Sequence, residues 1–159
     1  MILITLGTQD KEFTRLLNIV QEQIDKENIK EKVVVQAGYT KYESDDMEIF
    51  DLIDREKFSE LIEKCDVLIT HGGVGSIING LKNGKKVIVV PRLSKYGEHL
   101  NDHQLQITDN FSKEGYIIPL YDGDDLGKIL KSIKEFNPKQ FKSNTNKIIN
   151  IISEYIEKN

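Results

Sequence analysis

The sequence predicts an α/β fold built on a parallel sheet, and three observations carry the prediction. Short apolar runs rich in β-branched residues recur at Ile2 to Leu6, Val33 to Gln36, Val67 to Thr70 and Lys86 to Pro91. Such runs suit strands buried on both faces. Segments with apolar residues at helical spacing lie between them, and the connections are short and polar. Strands alternating with helices through short loops imply parallel pairing with right-handed crossovers. The expectation is one Rossmann-like domain, residues 1–159, with about six mostly parallel strands.

The elements follow in order. A strand at Ile2 to Leu6 ends at Gly7-Thr8-Gln9, and Phe13, Leu16, Leu17, Val20 and Ile24 mark a helix over about Asp10 to Lys26. Val33 to Gln36 is a second strand, closed by Ala37-Gly38. A polar loop, Tyr39 to Asp46, leads to a weaker strand at Met47 to Leu52. Phe58, Leu61, Ile62 and Cys65 form the inner face of a short helix that delivers the chain to the strand at Val67. A helix from Ser76 to Lys82 is ended by Asn83-Gly84, and Lys86 to Pro91 is the next strand. After the loop Arg92 to Asn101, a helix from about Asp102 carries Leu105, Ile107 and Phe111 inward, and Tyr116 to Leu120 makes the sixth strand. Asp122 to Asp125 supplies a turn and N-cap for a helix from Leu126 to Phe136. The last helix runs to about Lys158 and shows an apolar stripe of Ile148, Ile149, Ile152, Tyr155 and Ile156.

Composition narrows the function classes. Among 159 residues, 38% are hydrophobic and 30% charged, as in an ordinary globular chain, and the formal charge of −4 argues against a broad nucleic-acid surface, which needs clustered Lys and Arg. The single cysteine, Cys65, has no partner for an internal disulfide and stands where a small buried hydrophobe is wanted. No run approaches the roughly 18 apolar residues of a membrane span, and the apolar N-terminus is too short for a signal segment. A reducing, cytoplasmic setting is expected.

The chemistry gathers at two stretches. The first is Val67-Leu68-Ile69-Thr70 followed by His71-Gly72-Gly73-Val74-Gly75-Ser76, read as strand, glycine loop and helix start. Glycines allow a ligand to approach the backbone, and the first helical turn offers unpaired N–H groups at the positive end of its dipole. A phosphate or diphosphate is the natural guest. The spacing fits neither G-x-x-x-x-G-K-[ST] nor G-x-G-x-x-G, and Ser76 is not in G-x-S-x-G. The plain alternative is a glycine-rich turn that only connects two elements.

The second stretch, Gly97-Glu98-His99-Leu100-Asn101-Asp102-His103-Gln104, holds two of the three histidines. A metal site at His99 and His103 requires the helix to begin already at His99, and no third ligand is evident, so no metal is expected. Carboxylate and amide groups such as those of Asp102 and Gln104 suit vicinal hydroxyls, and hence a sugar. A helix start with surface histidines is the plain alternative.

Together, HGGVGS after an apolar strand, then VVPR, then GEHLNDHQ resemble the nucleotide-sugar-binding half of the GT-B glycosyltransferases, and most narrowly the family 28 C-terminal (MurG-like) domain. Small donor-binding subunits of two-component enzymes are similar too, including those of the dolichol-linked N-acetylglucosaminyltransferase and of bacterial exopolysaccharide and capsule synthesis. The opening Leu6-Gly7-Thr8 matches those short subunits, so the resemblance covers nearly the whole chain.

The resemblance implies that Gly7, Thr8, His71, Gly72, Gly73, Val74, Gly75 and Ser76 hold the donor diphosphate. It implies that Asp102, His103 and Gln104 hold the transferred sugar. Many relatives have a ribose-binding Glu where this chain has Asn79, so Asn79 or Glu98 is expected at the nucleoside. His103, of a type with a pKa of about 6.5, is the candidate base. The implied reaction moves a sugar from a UDP-sugar donor to a lipid-linked saccharide acceptor without a metal or other cofactor. A membrane-anchored acceptor-binding subunit would be the partner, placing the chain at the cytoplasmic membrane face. Two other readings stay open: a metal-dependent transferase using Asp122-Gly123-Asp124 as a D-x-D site, although that pattern suits turn and cap chemistry better, and a non-catalytic nucleotide-binding subunit.

Overall fold

The fold was analysed in a computed structural model of the protein, which describes residues 1–142 and 146–158. Six strands among these residues form one sheet in the order β3-β2-β1-β4-β5-β6, all pairs parallel. They are β1 (Ile2–Thr5), β2 (Val33–Gln36), β3 (Met47–Phe50), β4 (Val67–His71), β5 (Lys86–Val90) and β6 (Ile118–Pro119). The helices are α1 (Thr14–Asp25), α2 (Arg55–Lys64), α3 (Val74–Lys82), α4 (His103–Lys113), α5 (Leu126–Ser132) and α6 (Asn146–Lys158). The expected fold class is therefore the observed one.

Alternation along the strands divides the core. Ile2 and Ile4 of β1, with Val33, Val35, Ile69 and Ile88, meet Leu16, Leu17 and Val20 of α1 and Leu126 of α5. Leu3, Val34, Leu68, Val87 and Val89 point the other way, against Leu61 and Ile62 of α2, Ile77 and Leu81 of α3, Ile107 and Phe111 of α4 and Ile148 and Ile151 of α6. Strands covered on both faces must be apolar throughout, which is why they read as continuous runs. Cys65 is buried in the second layer, and burial pushes its thiol pKa up, as suits an inert small hydrophobe.

Several boundaries differ from expectation. β4 extends to His71 and α3 begins at Val74, two residues before Ser76. β6 is shorter than Tyr116 to Leu120, and α5 ends at Ser132. On α4, Leu105 is only partly buried, while Gln104 and Thr108 join Ile107 and Phe111 on the inner face. In the α6 stripe Ile148 packs against the sheet and Ile149 is exposed; the Tyr155 and Ile156 side chains lie outside the described residues.

Sequential order breaks where β1 lies beside β4. Loops leaving adjacent strands there diverge to opposite faces, which opens a crevice beyond the carboxyl ends of the strands.

Candidate active site

A cavity of about 490 Å3 occupies this crevice, lined from β1 by Gly7 and Thr8, from β2 by Gln36 and from β4 and α3 by His71, Gly73, Val74, Gly75 and Ser76. Leu52, Ile53, Arg55 and Phe58, between β3 and α2, close its other wall. Sequence reasoning missed Gln36 and this whole wall. Leu52 offered one signal: a large apolar residue just past a strand end, which the fold leaves exposed.

His71 organises the floor. Its Nδ1 lies 3.3 Å from both Thr70 Oγ1 and the carbonyl oxygen of Thr5; the carbonyl only accepts, and the tautomer protonated at Nδ1 is the one that satisfies it. Nε2 then holds the lone pair of the neutral ring. That atom faces both flanking loops: a Cβ on Gly7 would stand 2.7 Å from it, and one on Gly73 2.3 Å. Gly7 also has φ of +84°, a left-handed conformation that L side chains avoid. Burial is the main cause that lowers the His71 pKa to about 4, assisted by the nearby Arg92 guanidinium. The ring is neutral at pH 7.

The end of α3 is left open. Asp54 caps α2 by accepting from Lys57 N–H at 2.8 Å, and Asp125 caps α5 by accepting from Gly127 N–H at 2.8 Å. The N-cap of α3 is Gly73, which has no side chain for that role, so the first-turn amides of this 9-residue helix point toward the cavity uncapped. Gly75 sits in that turn, and a Cβ there would meet nothing within 4 Å. Nothing in the protein's own packing requires glycine at this point, and the turn presents bare backbone to the cavity.

The second stretch is arranged differently. Gln104, 5% exposed, accepts at Oε1 from Gly72 N–H and from Arg92 N–H, both at 3.0 Å, tying the glycine loop to the end of β5. Glu98 is buried; Arg15 donates to its two carboxylate oxygens at 2.8 and 2.9 Å, and Leu93 N–H donates at 2.9 Å. Asp102 accepts from Ser94 N–H at 2.9 Å, which holds its pKa below the usual carboxylate range. His103 N–H donates to Asn101 Oδ1, and Asn101 N–H donates to His99 Nδ1. On α3, Asn79 Oδ1 accepts from Asn83 Nδ2. Gly72, whose N–H is taken by Gln104, is not among the residues lining the cavity, and neither are Asn79, Glu98, Asp102, His103 and Gln104. Glu98 departs most from its expected nucleoside role, because its carboxylate is consumed inside the protein.

The D-x-D pattern is also engaged. Asp122 accepts from Tyr96 Oη at 2.8 Å and lies 2.7 Å from Lys95 Nζ, while Asp124 accepts from Tyr121 N–H at 2.9 Å. Asp124 thus serves the turn, while Asp122 is held by side chains of the loop after β5. Among the described residues, no three His, Cys, Asp or Glu side chains are gathered to hold a metal.

A model of the glycosyltransferase family 28 C-terminal domain matches residues 1–158. The chain belongs to this family. It is 28% identical over 113 residues to the UDP-N-acetylglucosamine transferase subunit ALG13 of Candida albicans, a match that covers 71% of this chain and 37% of that protein. The matched segment is thus about a third of that relative's length. In structure the chain is similar to ALG13 in solution, with a TM-score of 0.59 at 20% identity over 95% of this chain and 93% of that one. It also resembles the crystal structure of the glycotransferase of kitacinnamycin, with a TM-score of 0.58 at 15% identity, covering 97% of this chain and 38% of the other.

Proposed function

We propose that the protein binds a UDP-sugar and supplies the donor half of a transferase that passes the sugar to a lipid-linked saccharide, as in exopolysaccharide or capsule assembly. The observation that carries this reading is the uncapped start of α3 facing Gly7, Thr8 and His71 across the crevice between β1 and β4. Bare N–H groups and a helix dipole aimed at one point stabilise charge growing on a leaving diphosphate, and they do so without a metal. Leu52, Ile53 and Phe58 offer the cavity an apolar wall suited to a flat base, with Arg55 beside it. The C. albicans relative is a UDP-N-acetylglucosamine transferase subunit, which makes UDP-N-acetylglucosamine the first donor to test. Asp102 and His103, at the start of α4, are the sugar-facing groups of this reading, with His103 as base, while Gln104, whose Oε1 is engaged by two amides, holds the glycine loop in place.

The acceptor comes with a partner. No helix among the described residues is long and apolar enough to cross a membrane, and the domain corresponds to one half of an enzyme whose chemistry lies between two. A membrane-anchored, acceptor-binding subunit completes the cleft in this reading and holds the chain at the cytoplasmic membrane face. Calorimetry with UDP and UDP-N-acetylglucosamine in EDTA is the first test, with binding expected; loss on chelation would favour a metal site instead. Sugar transfer is expected only with the partner present, and full turnover by the chain alone would remove the partner from the reading. Donor binding without transfer in the assembled pair would make this a non-catalytic subunit.

A further inference from the structure

Arg92 heads the fully buried side chains in size, at 1% exposed, and the donor geometry above makes no use of it. A guanidinium removed from water ordinarily faces a carboxylate, because a buried charge without a counter-charge is costly. Here the partners are neutral carbonyls. Nη1 donates to Lys11 at 2.8 Å and to Glu98 at 3.0 Å, and Nη2 donates to Leu6 at 2.6 Å. Nε is buried with no partner among the described residues. The Phe13 ring centroid lies 4.9 Å from Cζ, a further weak compensation. The adjacent carboxylate, that of Glu98, already receives two bonds from Arg15 and one from Leu93 N–H. Arg15 also has Asp122 at 3.8 Å, whereas Arg92 forms no bond to a carboxylate among the described residues. Burial lowers the Arg92 pKa to about 10, so it remains charged at neutral pH.

This charge lies directly behind the cavity. The carbonyl of Leu6 that Arg92 holds precedes Gly7, and Gly7 packs on His71 Nε2. The backbone of Arg92 shares Gln104 Oε1 with Gly72 of the glycine loop. Arg92 thus holds the Gly7 loop through its guanidinium and is joined to the glycine loop through Gln104, and its charge acts at His71.

We propose that Arg92 is a positioning residue of the donor site, whose buried and under-compensated positive charge strengthens diphosphate binding from behind the Gly7 and His71 loops without touching the ligand. The inference rests on the UDP-sugar reading. The physical basis is that a charge in a low-dielectric interior acts over distances at which a surface charge is screened.

The test uses the full chain and UDP, measured by calorimetry at low and high salt, with His71 followed by NMR titration. Wild-type binding comes first, since its absence would sink the donor reading and this inference with it. Given wild-type binding, Arg92→Gln is expected to weaken UDP roughly tenfold while Arg92→Lys keeps most of the affinity. Glu98→Gln, which removes the counter-charge but keeps a polar side chain, is expected to bind UDP several-fold more tightly and to lower the His71 pKa further. A purely structural cluster predicts the opposite, because Glu98→Gln would then leave UDP affinity unchanged or weaker. Wild-type affinity in a folded Arg92→Gln, or unchanged or weakened binding in Glu98→Gln, overturns the proposal; should Arg92→Gln not fold, the Glu98→Gln result alone decides, tighter binding supporting it and anything else overturning it.

Discussion

The loop from β4 to α3 and the loop from β5 to α4 leave adjacent strands at the same edge of the sheet, and both are rich in the residue types that bind ligands. Their polar atoms meet different fates. Between His71 and Ser76 the side chains are small or absent, the helix start is uncapped, and the one imidazole turns its Nε2 to the flanking loops. Between Arg92 and Gln104 almost every polar side chain is already engaged: Gln104 on two amides, Glu98 on Arg15 and Leu93, Asp102 on Ser94, Asn101 on His103. The first loop presents unused hydrogen-bonding capacity to the cavity, and the second uses its capacity to hold the first in place. Residue type names a candidate ligand group; whether its atoms are spent decides whether it binds.

The largest expected effect concerns His71. Its folded pKa of about 4 lies below the ordinary 6.5, so the unfolded chain binds the extra proton between these values. The stability that His71 contributes is full above pH 6.5 and is lost as pH falls toward 4, on the order of 3 kcal/mol at about 1.36 kcal/mol per pKa unit. Thermal melts across this window should fall more steeply for the wild type than for His71→Gln, and parallel curves would contradict the neutral buried ring. In the proposed donor site a diphosphate would lie beside the Nε2 lone pair and favour its protonation, so UDP-sugar should bind with proton uptake and more tightly as pH falls. Calorimetry in two buffers of different ionisation enthalpy measures that proton directly.

Gln104→Ala sharpens the contrast from the other side. Removing Oε1 leaves the buried Gly72 and Arg92 amides unpaired, which should cost about 2 kcal/mol in denaturant unfolding. UDP and UDP-sugar should then weaken together; selective loss of the sugar-bearing donor would instead show that Gln104 reaches the sugar.

Gly75→Ala separates binding from folding. The added methyl meets no protein atom, and alanine favours a helix over glycine by up to about 1 kcal/mol, so thermal stability should hold or rise. UDP affinity should fall roughly tenfold, as a methyl displaces a phosphate oxygen from the first turn. Unchanged affinity would mean that the ligand does not lie on this turn.

Asp102→Asn carries the smallest expected effect. The side chain is exposed and its amide analogue still accepts from Ser94 N–H, so the melting temperature should not change measurably. A raised KM for UDP-sugar with unaltered UDP affinity would place Asp102 at a sugar hydroxyl.

Local pattern alone determined most of the architecture here. Strands buried on both faces leave unbroken apolar runs, and amphipathic helices leave a spaced stripe, so β1, β2, β4 and β5 and the helices between them were legible from neighbouring residues. The glycine-loop edge of the cavity was legible for the same reason: glycine loop and helix start are contiguous in sequence. The opposite wall was not, because Leu52, Ile53, Arg55 and Phe58 reach the cavity only when β3 and β2 stack beside β1, and nothing in their own stretch marks that neighbour. The roles of Glu98, Gln104 and Arg92 were hidden more deeply. Arg15 and Glu98 are 83 residues apart, and Arg92 and Leu6 are 86 apart. A hydrogen bond takes its partner from whatever the packed chain brings within about 3 Å, and only the tertiary structure decides that.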